Sequence, residues 1–167
     1  MEMTGLDVEK EAPIEVAAIV TDWHFKNLAS YHAVIRQSPA LLAEMDDWNQ
    51  KHHKASGLLD LIPGGQDLAV VDQELTELIT REFGGEKAIL CGNSISQDRL
   101  FIRKYMPKTE AALHYRMLDV TSWKVVFNNL YDLKFKKTDG HRALDDIKES
   151  IAEMQFYLGH LKMPLKV

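Results

Sequence analysis

The amino-acid sequence predicts an α/β domain in which a β-sheet is layered against helices. An apolar, β-branched segment at 14–22 turns through "WHFKN" into a second strand at 28–36, which is the pattern of a hairpin. Beyond residue 57, short apolar strand segments alternate with amphipathic helical segments. A hairpin followed by alternating strands and helices is typical of a layered α/β domain.

Local signals predict the helices of the first half of the chain. "SPALLAEMDDWNQKHHKASG" has a proline in its first turn and helical spacing, so it predicts short helices that end near Gly57. Within 66–85, apolar side chains recur on one face of a predicted helix that is closed by Gly84. That face consists of Leu68, Val71, Leu75, Leu78, Ile79 and Phe83.

The second half of the chain predicts two strands and three helices. "KAILCGN" predicts a short buried strand with Cys91 as a small buried hydrophobe, and "SQDRLFIRKYM" predicts a helix that stops at Pro107. "YRMLDV" predicts a brief strand and "TSWKVVFNNLY" a helix. The last predicted helix runs over 142–161. We expect it to bury Ala143, Ile147, Ile151, Met154, Leu158 and Leu161.

Composition limits the classes of function. The chain has 167 residues, 46% apolar and 27% charged, so we expect a single domain over 1–167 with its own core. A net charge of −5 argues against a groove for long nucleic acid, because such grooves use many Lys and Arg contacts to phosphates. One cysteine allows no internal disulfide and indicates a reducing compartment. We see no targeting segment and no membrane-spanning stretch.

Acidic residues from distant parts of the chain lie at turns or helix starts. Glu2 begins "EMTGLD", Asp98 follows an apolar strand, and Asp146 lies in the first turn of the last helix, close after His141. Taken alone, each acid is explained by the preference of helix N-termini and turns for carboxylates. Strand ends and helix starts meet at one edge of an α/β sheet, however, so these acids could converge. Converging carboxylates need a cation, and oxygen ligands suit Mg²⁺ or Mn²⁺.

Other patterns exclude some chemistry. No set of Cys and His has the spacing of a zinc site. No Gly-rich phosphate loop precedes "HRALDD", which excludes a kinase or a P-loop protein. We expect His52 and His53 on a solvated helix face. We take Asp145 as a solvated partner of the helix dipole and Asp119 as structural.

Several motifs together resemble the oligoribonucleases, members of the DEDDh superfamily of 3′→5′ exonucleases. They are "EMTGLD", "MDDWN", "GNSISQDRLF", "HYRMLDV" and "GHRALDDIKESIAEMQFY", in this order from residue 2 to about residue 160. "MDDWN" with "GNSISQDRLF" and "HYRMLDV" is the specific part, since many exonucleases share the other two. The resemblance implies a ribonuclease-H-like fold, with a mixed β-sheet flanked by α-helices.

The resemblance also implies a phosphodiester hydrolase that uses two divalent cations, Mg²⁺ or Mn²⁺. Glu2, Asp98 and Asp146 correspond to metal ligands of the family. His141 corresponds to its general base, and an imidazole with a normal pKa of about 6.5 suits that role at neutral pH.

The family degrades very short RNA, above all diribonucleotides, to 5′-mononucleotides. Leu6 corresponds to a wedge between the two bases and Trp48 to an aromatic that stacks on one of them. Ser94, Arg116 and Thr121 correspond to a cap on the 5′-phosphate. Threonine stands at position 121 where serine is usual, which keeps the hydroxyl. Leu6 could instead pack in the core, and Trp48 could anchor its helix.

Tyr115 corresponds to a residue that reaches the partner's site across a homodimer interface, although it could also pack within its own subunit. The expected partners are therefore short RNA and a second copy of the chain, with no membrane and no long nucleic acid. We expect a cytoplasmic location, or a mitochondrial one for a longer eukaryotic form with a transit peptide.

This chain departs from the family pattern at its N-terminus. The first Asp of the D-x-E motif has no counterpart before Glu2, and the first, central strand of the sheet is missing. We expect a natural protein that is longer, and weak metal binding and reduced turnover for the chain as printed. Two alternatives stay open: a catalytically impaired, truncated form that binds dinucleotides, and a related DEDDh DNA exonuclease.

Overall fold

The computed structural model describes residues 1–136 and 142–162. The predicted general base, His141, lies outside the described residues. The strands are β1 Glu2–Met3, β2 Pro13–Thr21, β3 Asn27–Val34, β4 Ala88–Gly92 and β5 Leu113–Asp119. The helices are α1 Pro39–Ala43, α2 Asp47–Ala55, α3 Leu58–Leu61, α4 Leu68–Glu82, α5 Ile95–Tyr105, α6 Pro107–Ala112, α7 Val120–Tyr131 and α8 Ala143–Gly159, with a 3₁₀ turn at Ile62–Gly64.

The predicted hairpin is confirmed. β2 and β3 pair antiparallel, from Glu15 opposite Val34 to Thr21 opposite Asn27. The short strand β1 pairs antiparallel with the other edge of β2, where Glu2 lies opposite Glu15. This pairing places Glu2 next to the beginning of β2.

β4 and β5 form a second, parallel pair, which ends with Gly92 opposite Asp119. Within 1–136 and 142–162, no strand joins β2 to β4, so the strands form a three-stranded and a two-stranded sheet. The expected mixed α/β architecture is present, with antiparallel and parallel strands flanked by helices. That a central strand is missing stays a prediction.

A shared apolar core holds the two sheets together. Val16 and Val20 of β2 and Ala88 of β4 belong to one buried cluster, and α4 packs against it. The predicted face of α4 is confirmed, because Val71, Leu75, Leu78 and Ile79 are buried, with Leu68 and Phe83 packed beside them. The short helices before Gly57 are also confirmed, and Gly57 has the positive φ of 73° that favours glycine.

Some expectations about burial are wrong. β4 is only partly buried, because Ile89 and Cys91 are exposed. Leu161 lies beyond the end of α8 and is exposed, whereas Glu153 and Tyr157 of α8 are buried. Buried strands need neighbours on both sides, and an apolar sequence pattern does not reveal whether those neighbours are present.

Candidate active site

Three other carboxylates, those of Asp146, Glu15 and Asp98, act on the charge of Glu2. Burial raises its pKa to about 7 against the pull of the Met1 ammonium, and the charges of Asp146, Glu15 and Asp98 raise it further. The charges of the predicted acids Asp98 and Asp146 therefore both raise the pKa of Glu2 in the structure. The prediction that acids remote in sequence converge is consistent with this arrangement, whereas His141 is outside the described residues.

Asp98 lies in the first turn of α5, directly after β4. Its Oδ1 atom is 3.0 Å from the α-ammonium of Met1. Its side chain is about one-fifth exposed, at 19%.

Asp146 lies half-buried in the first turn of α8, while its neighbour Asp145 is exposed. Asp145 accepts a hydrogen bond of 3.1 Å from Lys148, which agrees with the solvated role expected for it. The two adjacent carboxylates thus have different surroundings. Of the two, Asp146 is the one whose charge raises the pKa of Glu2.

Glu15 fixes the start of α8 and was missed by the sequence analysis. Its carboxylate is fully buried and accepts from Arg142 at 2.6 Å, from His32 at 2.8 Å and from the backbone N–H of Ala143 at 3.0 Å. Burial by itself raises the pKa of Glu15, but these hydrogen bonds outweigh it and hold the pKa below its ordinary value. An acid between Ile14 and Val16, in the middle of an apolar strand, was the signal that could have found it.

His53 contradicts the expectation of a solvated face. It is buried, its Nε2 lies 3.0 Å from the carbonyl oxygen of Met3, and its Nδ1 lies 3.9 Å from Glu2 Oε2. Burial lowers the pKa of His53, so the ring is neutral at pH 7. Its Nδ1 is a buried atom without a hydrogen-bond partner. The expectation was wrong because one face of α2 packs against β1.

The donor set fits a hard divalent cation in type, since Glu2, Asp98 and Asp146 offer carboxylate oxygens. The buried, crowded carboxylate of Glu2 is a second point of fit, because a cation would relieve the repulsion that raises its pKa. Across 1–136 and 142–162, however, no three His, Cys, Asp or Glu side chains are close enough together to hold a metal ion. The described residues thus provide candidate ligands and no complete metal site.

Ser94 has a strained backbone that its neighbours fix. Its φ of 49° is in the left-handed region, which costs a residue with a side chain about 1–2 kcal/mol. Its backbone N–H donates to Asp119 Oδ1 at 3.0 Å and to Thr121 Oγ1 at 2.8 Å, and its hydroxyl lies 3.3 Å from Thr121 Oγ1. Asp119 also accepts from the backbone N–H of Thr121 at 2.9 Å, which supports its expected structural role. Strain of this kind concentrates at functional sites.

The predicted base-contacting side chains are open to solvent. Leu6 is 73% exposed and Trp48 is 67% exposed, so neither packs in the core. Gln97 donates to the Leu6 carbonyl oxygen at 2.7 Å and so ties this loop to α5. The indole of Trp48 stacks on the ring of His52, with the centroids 4.6 Å apart.

Tyr115 and Arg116 project from β5. Tyr115 is 72% exposed, which disfavours packing within its own subunit. The guanidinium carbon of Arg116 lies 5.3 Å from the centroid of the Tyr115 ring, within the range of a cation–π contact. The backbone here is held by the buried Arg99, which donates to the carbonyl oxygens of His114 at 2.7 Å and of Tyr115 at 3.2 Å.

Comparison with known proteins identifies the class first. The described elements have the mixed α/β architecture of a ribonuclease-H-like exonuclease domain, and the model of the RNase T exonuclease family matches residues 1–154. Members of that family generally use divalent metal ions.

Curated relatives narrow the class. An oligoribonuclease of Aeromonas hydrophila is 45% identical, with 96% of this chain and 92% of the relative covered. An oligoribonuclease of Klebsiella pneumoniae is 42% identical, with coverage of 96% and 91%. For an oligoribonuclease of Francisella tularensis subsp. novicida the identity is 43%, with coverage of 94% and 90%. The chain therefore belongs to the oligoribonucleases of the RNase T exonuclease family, as the sequence motifs predicted.

Proposed function

We propose that this chain is a 3′→5′ exoribonuclease that degrades very short RNA, especially diribonucleotides, to 5′-mononucleotides. The observation that carries the proposal is the cluster of acids around Glu2, within a chain that aligns with oligoribonucleases over nearly its whole length. Among the described residues no helix is long and apolar enough to cross a membrane. We propose a cytoplasmic location, where short RNA is produced.

Two divalent cations, Mg²⁺ or Mn²⁺, are the proposed cofactors. Glu2, Asp98 and Asp146 would hold them, and bound cations would activate water and neutralise charge on the leaving oxygen. Glu15 keeps Asp146 in place by anchoring the start of α8. We assign the role of general base to His141, which would take the proton from the attacking water.

A short substrate would be held at its bases and at its 5′-phosphate. The exposed ring of Trp48 would stack on a base, and stacking tolerates any base. The exposed apolar side chain of Leu6 would insert between the two bases. Ser94, Arg116 and Thr121 supply two hydroxyls and a guanidinium for the phosphate, and a guanidinium binds phosphate with two parallel hydrogen bonds. An acidic chain can use so small a site, because it needs no basic groove.

A homodimer is the proposed assembly, with Tyr115 reaching the partner's site. Exposed large apolar side chains lie on α7 as well as on β5, and soluble monomers seldom expose such a surface. On α7 these are Val125, Val126, Leu130 and Tyr131. Exposed large apolar side chains on β5 include Tyr115 and Met117, and we propose that a second copy of the chain covers side chains from both elements.

We further propose that an additional extended segment with an aspartate completes the sheet between β2 and β4. Over 16–21, the pairing of β2 within the described residues is with β3 alone, and β4 pairs with β5 alone. Each buried backbone group without a partner costs about 1–3 kcal/mol. A strand in this gap would satisfy both edges and add an acid beside Glu2.

The test is hydrolysis of a 5′-phosphorylated diribonucleotide with Mn²⁺, by the chain as printed and by a chain extended upstream with an apolar strand that ends in Asp. We expect the extended chain to be at least about 100-fold faster, since a metal ligand is restored. Equal and high rates in both would contradict the role of the added strand. No hydrolysis by either would contradict the exoribonuclease proposal.

Matched variants test the roles of the two adjacent acids Asp145 and Asp146 separately. In the extended chain, Asp146→Asn should lower kcat at least about 100-fold, whereas Asp145→Asn one position earlier should stay within about twofold. Preference for long single-stranded DNA would favour the alternative DNA exonuclease. Dinucleotide binding without metal-dependent cleavage would favour the binding protein. The hydroxyls of Ser94 and Thr121, proposed to cap a 5′-phosphate, support a very short substrate over an exonuclease of long DNA.

A further inference from the structure

Asn93 joins the proposed phosphate cap to the helix that carries Asp146. It follows β4 directly, and its side-chain Nδ2 donates to Ser150 Oγ at 2.9 Å and to Glu153 Oε2 at 3.1 Å, both on α8. Its Oδ1 accepts from Thr121 Oγ1 at 3.3 Å. A single amide thus links the start of α7 to the middle of α8, two elements that the proposed function uses separately.

The α8 end of this bridge reaches the metal-ligand residue. Ser150 donates its hydroxyl hydrogen to the carbonyl oxygen of Asp146 at 2.8 Å, so Asn93 is two hydrogen bonds away from the backbone of Asp146. Glu153 is buried, and Tyr157 donates to its other oxygen at 3.0 Å. These contacts give the Asn93 amide a fixed attachment on α8.

The two oxygens of Glu153, which accept from Asn93 and Tyr157, set the direction of the network. A carboxylate only accepts hydrogen bonds, so Asn93 must turn its NH₂ group towards Glu153 and its oxygen towards Thr121. Thr121 then donates its hydroxyl hydrogen to Asn93, and its oxygen lone pairs accept the backbone N–H of Ser94 at 2.8 Å. Ser94 is held in its strained conformation in part through this chain of bonds.

We propose that Asn93 is a positioning residue, which sets the phosphate cap of Ser94 and Thr121 at a fixed distance from the Asp146 end of α8. This inference rests on the proposed function. A cap held at a fixed distance from the metal-ligand end of α8 measures the length of the substrate, because the 5′-phosphate and the scissile phosphate must be bound together. Loosening the amide bridge should therefore weaken recognition of the 5′-phosphate more than recognition of the bases.

The experiment compares two ligands by calorimetry: a 5′-phosphorylated and a 5′-hydroxyl diribonucleotide. It uses EDTA-treated protein, so that no cleavage occurs. The variants are Asn93→Ala and Glu153→Gln. The control is Asn129→Ala, an exposed asparagine of α7 whose amide donates to Val125 O of the same helix at 2.7 Å. Thermal unfolding checks that each variant is folded.

We expect the wild-type chain to bind the phosphorylated ligand more tightly than the other. Asn93→Ala should lower this ratio of affinities about fivefold or more and leave the Kd of the 5′-hydroxyl ligand within about twofold. Glu153→Gln, which keeps the size of the side chain, should lower the ratio in the same direction, so a poorly folding Asn93→Ala does not remove the test. Asn129→Ala should behave as wild type.

Two results overturn the inference. If both variants keep the wild-type ratio of affinities for the two ligands, the amide bridge does not position the cap. Equal weakening of both ligands in both variants would indicate a purely structural role. Equal binding of the two ligands by the wild-type chain would instead contradict the phosphate cap of the proposed function itself.

Discussion

Arg142 donates two hydrogen bonds to one oxygen of the fully buried Glu15, from Nε at 2.9 Å and from Nη2 at 2.6 Å. The other Glu15 oxygen accepts the backbone N–H of Ala143, the first residue of α8. Strand β2 and the helix that carries Asp146 are therefore joined through one carboxylate. A buried charge of this kind is stable only while its partners are present.

Removing Arg142 should destabilise the fold. Arg142→Met leaves the Glu15 carboxylate buried with fewer donors, so we expect the free energy of unfolding to fall by about 3 kcal/mol, measured by urea denaturation. Arg36→Met is the matched control, because Arg36 pairs with the exposed Asp67 and should cost less than about 1 kcal/mol. Equal losses in the two variants would show that the buried pair is no stronger than a surface one.

Stability without metal should decrease as the pH rises. The pKa of Glu2 lies at about 7 in the folded chain against an ordinary 4.5, so the folded chain binds this proton more tightly than the unfolded chain. The free energy of unfolding therefore falls as the pH rises above 4.5, and the loss is complete above about 7, at no more than about 3.5 kcal/mol. Urea denaturation in EDTA at pH 5 and pH 8 measures it.

Two controls belong to the pH experiment. Glu2→Gln should flatten the pH dependence, because the titrating group is gone. Mn²⁺ should stabilise the wild-type chain more at pH 8 than at pH 5, since a cation binds the ionised carboxylate. An unchanged slope in Glu2→Gln would mean that another group titrates.

Local sequence signals were sufficient to predict the β2–β3 hairpin and the buried face of α4. β2 and β3 are marked by β-branched apolar residues, and the buried face of α4 follows from its helical spacing. These features depend on neighbours within a few residues. The exposure of Cys91 could not be predicted in this way, because it depends on whether distant elements pack over β4.

The residues that hold the site residues in place could not be predicted from the sequence either. Glu15, His53 and Asn93 are ordinary residue types whose roles come from partners many positions away. The motif residues could be predicted from the resemblance alone, while their support depends on tertiary packing. Asp145 and Asp146 illustrate this, since only their surroundings distinguish them.

Trp48 should contribute stacking energy to substrate binding. Trp48→Ala should weaken binding of a diribonucleotide by about 1–3 kcal/mol, about fivefold or more in Kd, with little dependence on the bases. Trp23→Ala is the control, because Trp23 is similarly exposed but lies in the turn after β2. Calorimetry in EDTA measures both variants. Loss of affinity for only one base sequence would contradict stacking as the mechanism.

Tyr115 should act in the partner's site, and mixed dimers can test this. We expect Tyr115→Ala and Asp98→Ala to be inactive separately in the extended chain. A mixed dimer has one site that combines an intact Asp98 with Tyr115 of the other subunit. Because half of randomly mixed dimers are heterodimers, roughly a quarter of all sites should regain activity on a 5′-phosphorylated diribonucleotide.

The control for the mixing experiment is a pair of variants that affect the same subunit's site, Asp98→Ala with Asp146→Asn. Neither subunit of that mixed dimer has a complete set of acids, so activity should not return. If the Tyr115→Ala mixture also stays inactive while sedimentation shows dimers, Tyr115 acts within its own subunit. If sedimentation shows only monomers, the exposed apolar side chains of α7 do not form the proposed interface.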